Sequence, residues 1–171
     1  AQVGGLTVNV TRAQQLKSVS TMTTQDPYVK AKLLVDGYQV AECKSGTHNN
    51  GGRNPDWNRR NNFFTFYVPS TVPLSKLAVV LEVYDDNLGT DKMIGTCGKI
   101  PLQGIADGRA RWWTVTTGGQ LEASVHSDVH MNIGKAKKPK DKLKKGKKKD
   151  KDHKHKVGGG KHQQHEQWQQ Q

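Results

Sequence analysis

Tyr28-Val-Lys-Ala-Lys-Leu-Leu-Val35, then Asp36-Gly37, then Tyr38-Gln-Val-Ala-Glu-Cys-Lys44 is the stretch that decides the fold class. The first run reads as a strand. Asp-Gly is a two-residue hairpin signal, because both turn positions need positive φ. The second run returns as the partner strand. Working outward, Leu6, Val8 and Val10 share one face of an earlier strand by the period of two. Residues 62–68 form a fourth strand with Phe64 and Phe66 on one face. The nearly continuous apolar run 77–84 reads as a central strand, and 93–101, 111–116 and 120–129 complete a set of eight. Residues 45–61 form a polar loop punctuated by Gly and Pro. No window of useful length shows a helical period. Eight short strands at this spacing imply an all-β sandwich or barrel.

The charge divides the chain in two. Its 171 residues carry a net charge of +12. Residues 1–133 hold 13 Lys and Arg against 11 Asp and Glu, whereas 134–171 hold 14 Lys against 4 acids. We therefore place a folded domain at 1–133 and a basic tail at 134–171. The tail's large apolar groups are Leu143, Val157 and Trp168, too few to offset the entropy of ordering, so disorder is expected when it is free. Within it, 135–156 is a Lys block, 158–160 a Gly joint and 161–171 a Gln/His-rich end. No run of ~18 apolar residues is present, which excludes a membrane-spanning helix. No signal peptide is visible at 1–5, although prior removal would leave the same start. Cys43 and Cys97 read as free thiols of a reducing compartment.

Three strings in order narrow the family: Asp26-Pro-Tyr-Val-Lys30; Asn54-Pro-Asp-Trp-Asn58 followed by Phe64-Thr-Phe66; and Val83-Tyr-Asp-Asp-Asn87 with Asp91-Lys-Met-Ile-Gly95 and Ile100-Pro-Leu102. Together they resemble the C2 domain, the second conserved region of protein kinase C, over about residues 1–130. The resemblance implies an eight-stranded antiparallel β-sandwich with loops gathered at one end. It also implies the permuted, type II topology, with the extra strand at the C-terminus.

That resemblance further implies calcium-dependent binding to anionic phospholipid. Two loops of the family supply five acidic positions, and Ca²⁺ wants 6–8 oxygens. Here the metal set implied is Asp26, Asp85, Asn87 and Asp91, with Ser20 at the remaining first-loop position. Three carboxylates of five remain, and no Asp or Glu occurs between residues 1 and 25. Weak or lost calcium binding follows. Asp86 is expected to face away from Asp85 by alternation. The family's basic concave face maps onto Tyr28 and Lys30, and Lys32 and Lys44 extend it as a lipid headgroup site. Val19, Met22 and Leu88 are candidate membrane-inserting loop tips. A solvated sheet face and ordinary loop residues are the alternatives. Arg53, Arg59 and Arg60 form a second basic cluster in the long loop.

Trp57, Trp112 and Trp113 lie at strand edges and are expected to pack against the core. Asn9-Val10-Thr11 is a glycosylation sequon inside a strand. His153, His155, His162 and His165 lack the cysteines or scaffold of a zinc site and read as polar tail. No G-x-S-x-G, H-E-x-x-H or phosphate-loop motif occurs, so an enzyme is not indicated.

In the tail, Lys137, Lys138, Lys144, Lys145, Lys147, Lys148 and Lys149 form the electrostatic stretch. Five engaged lysines would contribute about 5 kcal/mol near an anionic leaflet at low salt. The reading is a cytoplasmic, membrane-peripheral module binding anionic phospholipid with a polybasic hold. Its alternative is a calcium-independent protein-interaction scaffold whose tail binds an acidic polymer, such as tubulin tails or nucleic acid.

Overall fold

A computed structural model describes residues 3–128. The described residues form eight strands: β1 Val3–Gln14, β2 Pro27–Val35, β3 Tyr38–Lys44, β4 Phe63–Pro69, β5 Leu77–Asp85, β6 Lys92–Pro101, β7 Arg111–Thr114 and β8 Gln120–Ser127. Two four-stranded antiparallel sheets result, in the orders β4-β1-β8-β7 and β3-β2-β5-β6. The last strand, β8, lies between β1 and β7, as the permuted topology requires. At the deciding hairpin, Val35 pairs with Tyr38, and Asp36 and Gly37 both take positive φ (52° and 85°).

Alternation builds the core between the sheets. Leu6, Val8 and Val10 of β1, Phe64, Phe66 and Val68 of β4, and Leu121, Ala123 and Val125 of β8 turn inward from one sheet. Val29, Ala31 and Leu33 of β2 meet them from the other, with Val79, Leu81 and Val83 of β5. Each such Val, Leu or Phe contributes about 1.5–3 kcal/mol by burial. Trp57 comes from the long polar loop and is fully buried in this core. Its indole Nε1 donates to the Pro27 carbonyl at 3.0 Å, while its backbone N–H donates to Thr11 at 2.8 Å.

The strand boundaries depart slightly from expectation. β7 stops at Thr114, where Val115 N–H turns to Gly119 O and closes the corner into β8. A three-residue 3₁₀ turn, Leu74–Lys76, precedes β5. It is too short to leave a period in the sequence. Trp112 is a correction: it faces outward opposite Glu122, with the Arg12 guanidinium 5.4 Å from its ring, whereas its neighbour Trp113 packs against the core. Strand alternation cannot seat both neighbours on one face. Cys43 and Cys97 are free. They sit on β3 and β6, the opposite edges of one sheet. Three strand spacings of ~4.8 Å put about 14 Å between them, beyond disulfide reach. Burial pushes the Cys97 thiol up to about 12. Val129 and the tail, with its seven named lysines, lie outside the described residues.

Replacing Trp57 with Ala should lower stability by about 3–5 kcal/mol. The reading is a lower denaturant midpoint with an unchanged m-value.

Candidate functional site

Three connections meet at one end of the sandwich: residues 15–26 between β1 and β2, 45–62 between β3 and β4, and 86–91 between β5 and β6. Side chains lock them together. Gln25 is buried, and its amide donates to the carbonyls of Lys17 and Gly52 while its Oε1 accepts Val19 N–H. One side chain thereby fixes the first loop and ties it to the second. Asp85 Oδ1 accepts Asp26 N–H at 2.8 Å, and Asp86 N–H returns a bond to Asp26 O. Asp26 Oδ1 accepts Asn50 N–H at 2.6 Å. Asp86 points the other way, as alternation predicts, and accepts from Thr47 Oγ1.

The residues implied as metal ligands are therefore brought to one end, where each already makes a hydrogen bond within or beside the loops. Asp91 Oδ2 accepts from Tyr28 Oη at 2.7 Å, and its Oδ1 accepts Asn87 N–H at 2.9 Å. Asn87 Nδ2 donates to Thr90 O. Between the first and third loops lies a cleft of about 240 Å³, lined by Val19, Ser20, Thr21, Met22, Asp85, Asn87 and Lys92. The cleft lining brings one carboxylate together with an ammonium, and no group of three or more His, Cys, Asp or Glu converges among the described residues. A divalent cation wants several anionic oxygens and no competing cation. The residues present do not fit calcium.

The loop tips divide. Met22 (89% exposed) and Leu88 (fully exposed) project into solvent at this end. Val19 does not: it packs partly buried against the core, with its N–H held by Gln25. Hydrophobicity alone could not separate it from Met22, because the difference is set by which residue the Gln25 tether pulls inward.

Tyr28, Lys30, Lys32 and Lys44 do come together on the outer face of the β3-β2-β5-β6 sheet. Tyr28 and Tyr84 stack at 5.7 Å, with Lys30 Nζ 4.7 Å from the Tyr84 ring and Lys44 Nζ 5.4 Å from the Tyr28 ring. Cations over aromatic faces are mutually stabilising. Acids are interleaved, however: Lys32 pairs with Glu82 at 3.1 Å, and Lys30 lies 3.9 Å from Glu42. The face is less positive than its lysines suggest. Burial, then the bond to Asp91, drives the Tyr28 phenol well above its ordinary value. Burial, then the bond to Glu82, raises Tyr84 to about 12. In the long loop, Arg53 and Arg60 are staples: their Nε atoms donate to the carbonyls of Leu16 and Asp56.

Gln25 and Lys92 were not singled out by the sequence. Lys92 carried a signal, since it follows Asp91 within the third string. Gln25 carried none, because a buried amide and a surface amide look alike in one sequence.

The Tyr28 hydroxyl, then Asn87 N–H, hold the Asp91 carboxyl below the usual carboxylate range. A depressed folded value means the contribution to stability is complete above the unfolded pKa, about 4, and is lost as pH falls through the folded value. Tyr28→Phe should raise the Asp91 pKa toward 4, read by NMR titration of the side-chain carboxyl carbon.

The C2 domain family model matches residues 4–114. Synaptotagmin-3 of Mus musculus is 31% identical over 109 residues, covering 64% of this chain and 18% of that protein. Synaptotagmin-9 of Rattus norvegicus is 30% identical over 110 residues, covering 64% of this chain and 21% of that protein. The chain thus aligns with about a fifth of the length of these relatives. Among solved structures, a C2 domain of plant Extended Synaptotagmin 1 superposes with a TM-score of 0.61 at 23% identity, covering 74% of this chain and 95% of that one. A structure described as a C2 domain gives 0.55 at 21% identity, covering 74% and 99%. These structural likenesses establish the fold, and the sequence match establishes the family: the chain belongs to the C2 domains.

Proposed function

We propose that this C2 domain is a non-catalytic membrane-binding module that docks its loop end on anionic phospholipid without calcium, held further by the Lys tail. The observation that carries this reading is the pair of exposed apolar tips, Met22 and Leu88, on loops that border a cleft containing Lys92. Exposed apolar tips beside a cation suit a surface that is anionic outside and apolar beneath. Lys17 and Lys92 have no ion-pair partner among the described residues, so neither charge is neutralised before docking. The 14 lysines of residues 134–171 add a screened, sequence-independent attraction. Binding by this route needs no divalent cation, because the apolar tips and the cleft-lining Lys92 supply the apolar and cationic contacts themselves.

A second reading draws on the outer face of the other sheet. Phe63 and Tyr67 are exposed on the edge strand β4, beside the uncharged Thr7 and Asn9 of β1. Exposed aromatics with few charges favour a protein partner, in keeping with a scaffold. A Phe63→Asp variant that keeps vesicle binding but loses a co-purifying protein would support it.

Full-length protein should pellet with phosphatidylserine vesicles in ~0.1 M salt with EGTA, and should not pellet with neutral phosphatidylcholine. Absence of pelleting with phosphatidylserine overturns the reading. Met22→Asp and Leu88→Asp should each weaken binding about tenfold or more, since a buried apolar side chain contributes about 1.5–3 kcal/mol. Millimolar calcium should leave the melting temperature unchanged. A ligand binding the native state must raise it, so a calcium-dependent rise would restore the metal.

A further inference from the structure

We propose that the free edge of β4 pairs with β4 of a second copy of this chain, antiparallel and about a two-fold axis at Thr65. This names the partner for the exposed aromatic edge noted above and does not depend on lipid binding.

Four edges bound the two sheets: β4 and β7 on one, β3 and β6 on the other. β3 carries Glu42 and Lys44. β6 carries Lys92 and Lys99, and its pairing with β5 shifts register. β7 is short and opens with Arg111. Charge, irregularity and shortness all protect an edge against pairing. β4, Phe63-Phe-Thr-Phe-Tyr-Val-Pro69, has no charged residue and runs along β1 without a shift.

The hydrogen-bond phase of β4 follows from Val10, whose N–H donates to Asn62 O. Antiparallel ladders alternate, so Phe64, Phe66 and Val68 share bonds with β1, while the N–H and C=O of Phe63, Thr65 and Tyr67 point to the free edge. Among the described residues no bond reaches those groups. Phe63 and Tyr67 are 65% and 72% exposed, and β1 sets only Gly5 opposite Tyr67. Pro69, which has no N–H, closes the run.

The strand's own sequence selects the occupant. Phe63-Phe64-Thr65-Phe66-Tyr67 is aromatic at each step on both sides of Thr65. A two-fold axis there sets Phe63 of one copy against Tyr67 of the other, and Thr65 against Thr65. In that register these are the bonded pairs, so every free N–H and C=O of the run meets a partner. A two-fold interface needs a self-complementary patch, and cross-strand aromatic and Thr pairs are favourable. Charge agrees. Arg59 and Arg60 precede the strand, and Ser70 and Thr71 follow it. Antiparallel pairing sets the basic end beside the neutral one, so Arg does not meet Arg. The result continues the β1–β4 ladder across both copies, with their loop ends turned in opposite directions.

A single strand pair is smaller than a stable interface of ~1,200 Å² or more, so association should depend on concentration. Sedimentation of the full chain from about 5 to 500 µM, in ~0.3 M salt to screen the Lys tail, should show the mean mass rising toward twofold. Thr65→Lys sets two ammoniums face to face and should keep the chain monomeric throughout. That side chain is exposed, so the fold is retained. Oxidative cross-linking reads the register, with the unaltered chain as the blank for Cys43 and Cys97. Thr65→Cys should give a disulfide-linked dimer, because Cα atoms of a bonded pair lie ~5.5 Å apart. Phe63→Cys should not, because its two copies stand four residues out of register, ~13 Å apart. A chain monomeric at every concentration, a dimer that survives Thr65→Lys, or equal cross-linking of the two cysteine variants overturns the inference. Protection of the Thr65 and Tyr67 amides by a different extended peptide, in a chain that stays monomeric, also overturns it and gives the edge to another partner.

Discussion

One indole ties the two sheets and the long loop to each other. Trp57 donates through Nε1 to Pro27, at the start of β2, and through its backbone to Thr11, inside β1. These strands belong to different sheets. The loop that carries Trp57 then runs beside β1, as Val10, Ala13 and Leu16 donate to Asn62, Pro55 and Arg53. Burial of the ring holds a segment that is otherwise polar. Without it, residues 45–62 would keep little more than buried Pro55 as an apolar reason to lie against the sandwich. Those residues supply Asn50, Thr47 and Gly52, which contact Asp26, Asp86 and Gln25. The loop end is thus built on a core contact made directly beneath it, at the residue that follows Asp26.

At that end, polar side chains replace apolar packing as the cohesive force. Gln25 makes three bonds to backbone groups of two loops, and Asp85 caps the chain as it enters β2. Loop backbone groups must find partners when buried. Carboxylates and amides supply them with directional geometry. The consequence is chemical: a carboxylate occupied by backbone N–H groups has fewer lone pairs for a metal. Asp91 is the clearest case, with one oxygen on Asn87 N–H and the other on the Tyr28 hydroxyl. The same residues that in a more acidic family member would converge on cations here rigidify a cleft that contains an ammonium.

Tyr28 links this end to the sheet face beside it. Its ring lies in the Tyr84 stack with Lys44 over it, and its hydroxyl holds Asp91. The basic face is therefore tied through Asp91 to Asn87, which lines the loop cleft. Ion pairs with Glu42 and Glu82 temper that face, which leaves the cleft and its apolar rim as the less neutralised surface.

Much of the fold was legible. The period of two in Leu6–Val10, the Asp36-Gly37 turn and the apolar run of β5 are local signals, and local sterics fix them. The sequence by itself also determined the shortage of carboxylates in the first loop, since an absent residue type needs no geometry to recognise. The tertiary structure decided the rest. Whether Trp57 is a core plug or a loop ornament, whether Val19 or Met22 faces water, and whether Glu42 and Glu82 temper the lysines depend on cross-strand and cross-loop neighbours. Some of these are 30 to 50 residues away in the chain. A side chain's identity states which bonds it can make. Only the packing of distant segments, which excludes water and brings donor to acceptor, states which of them it does make.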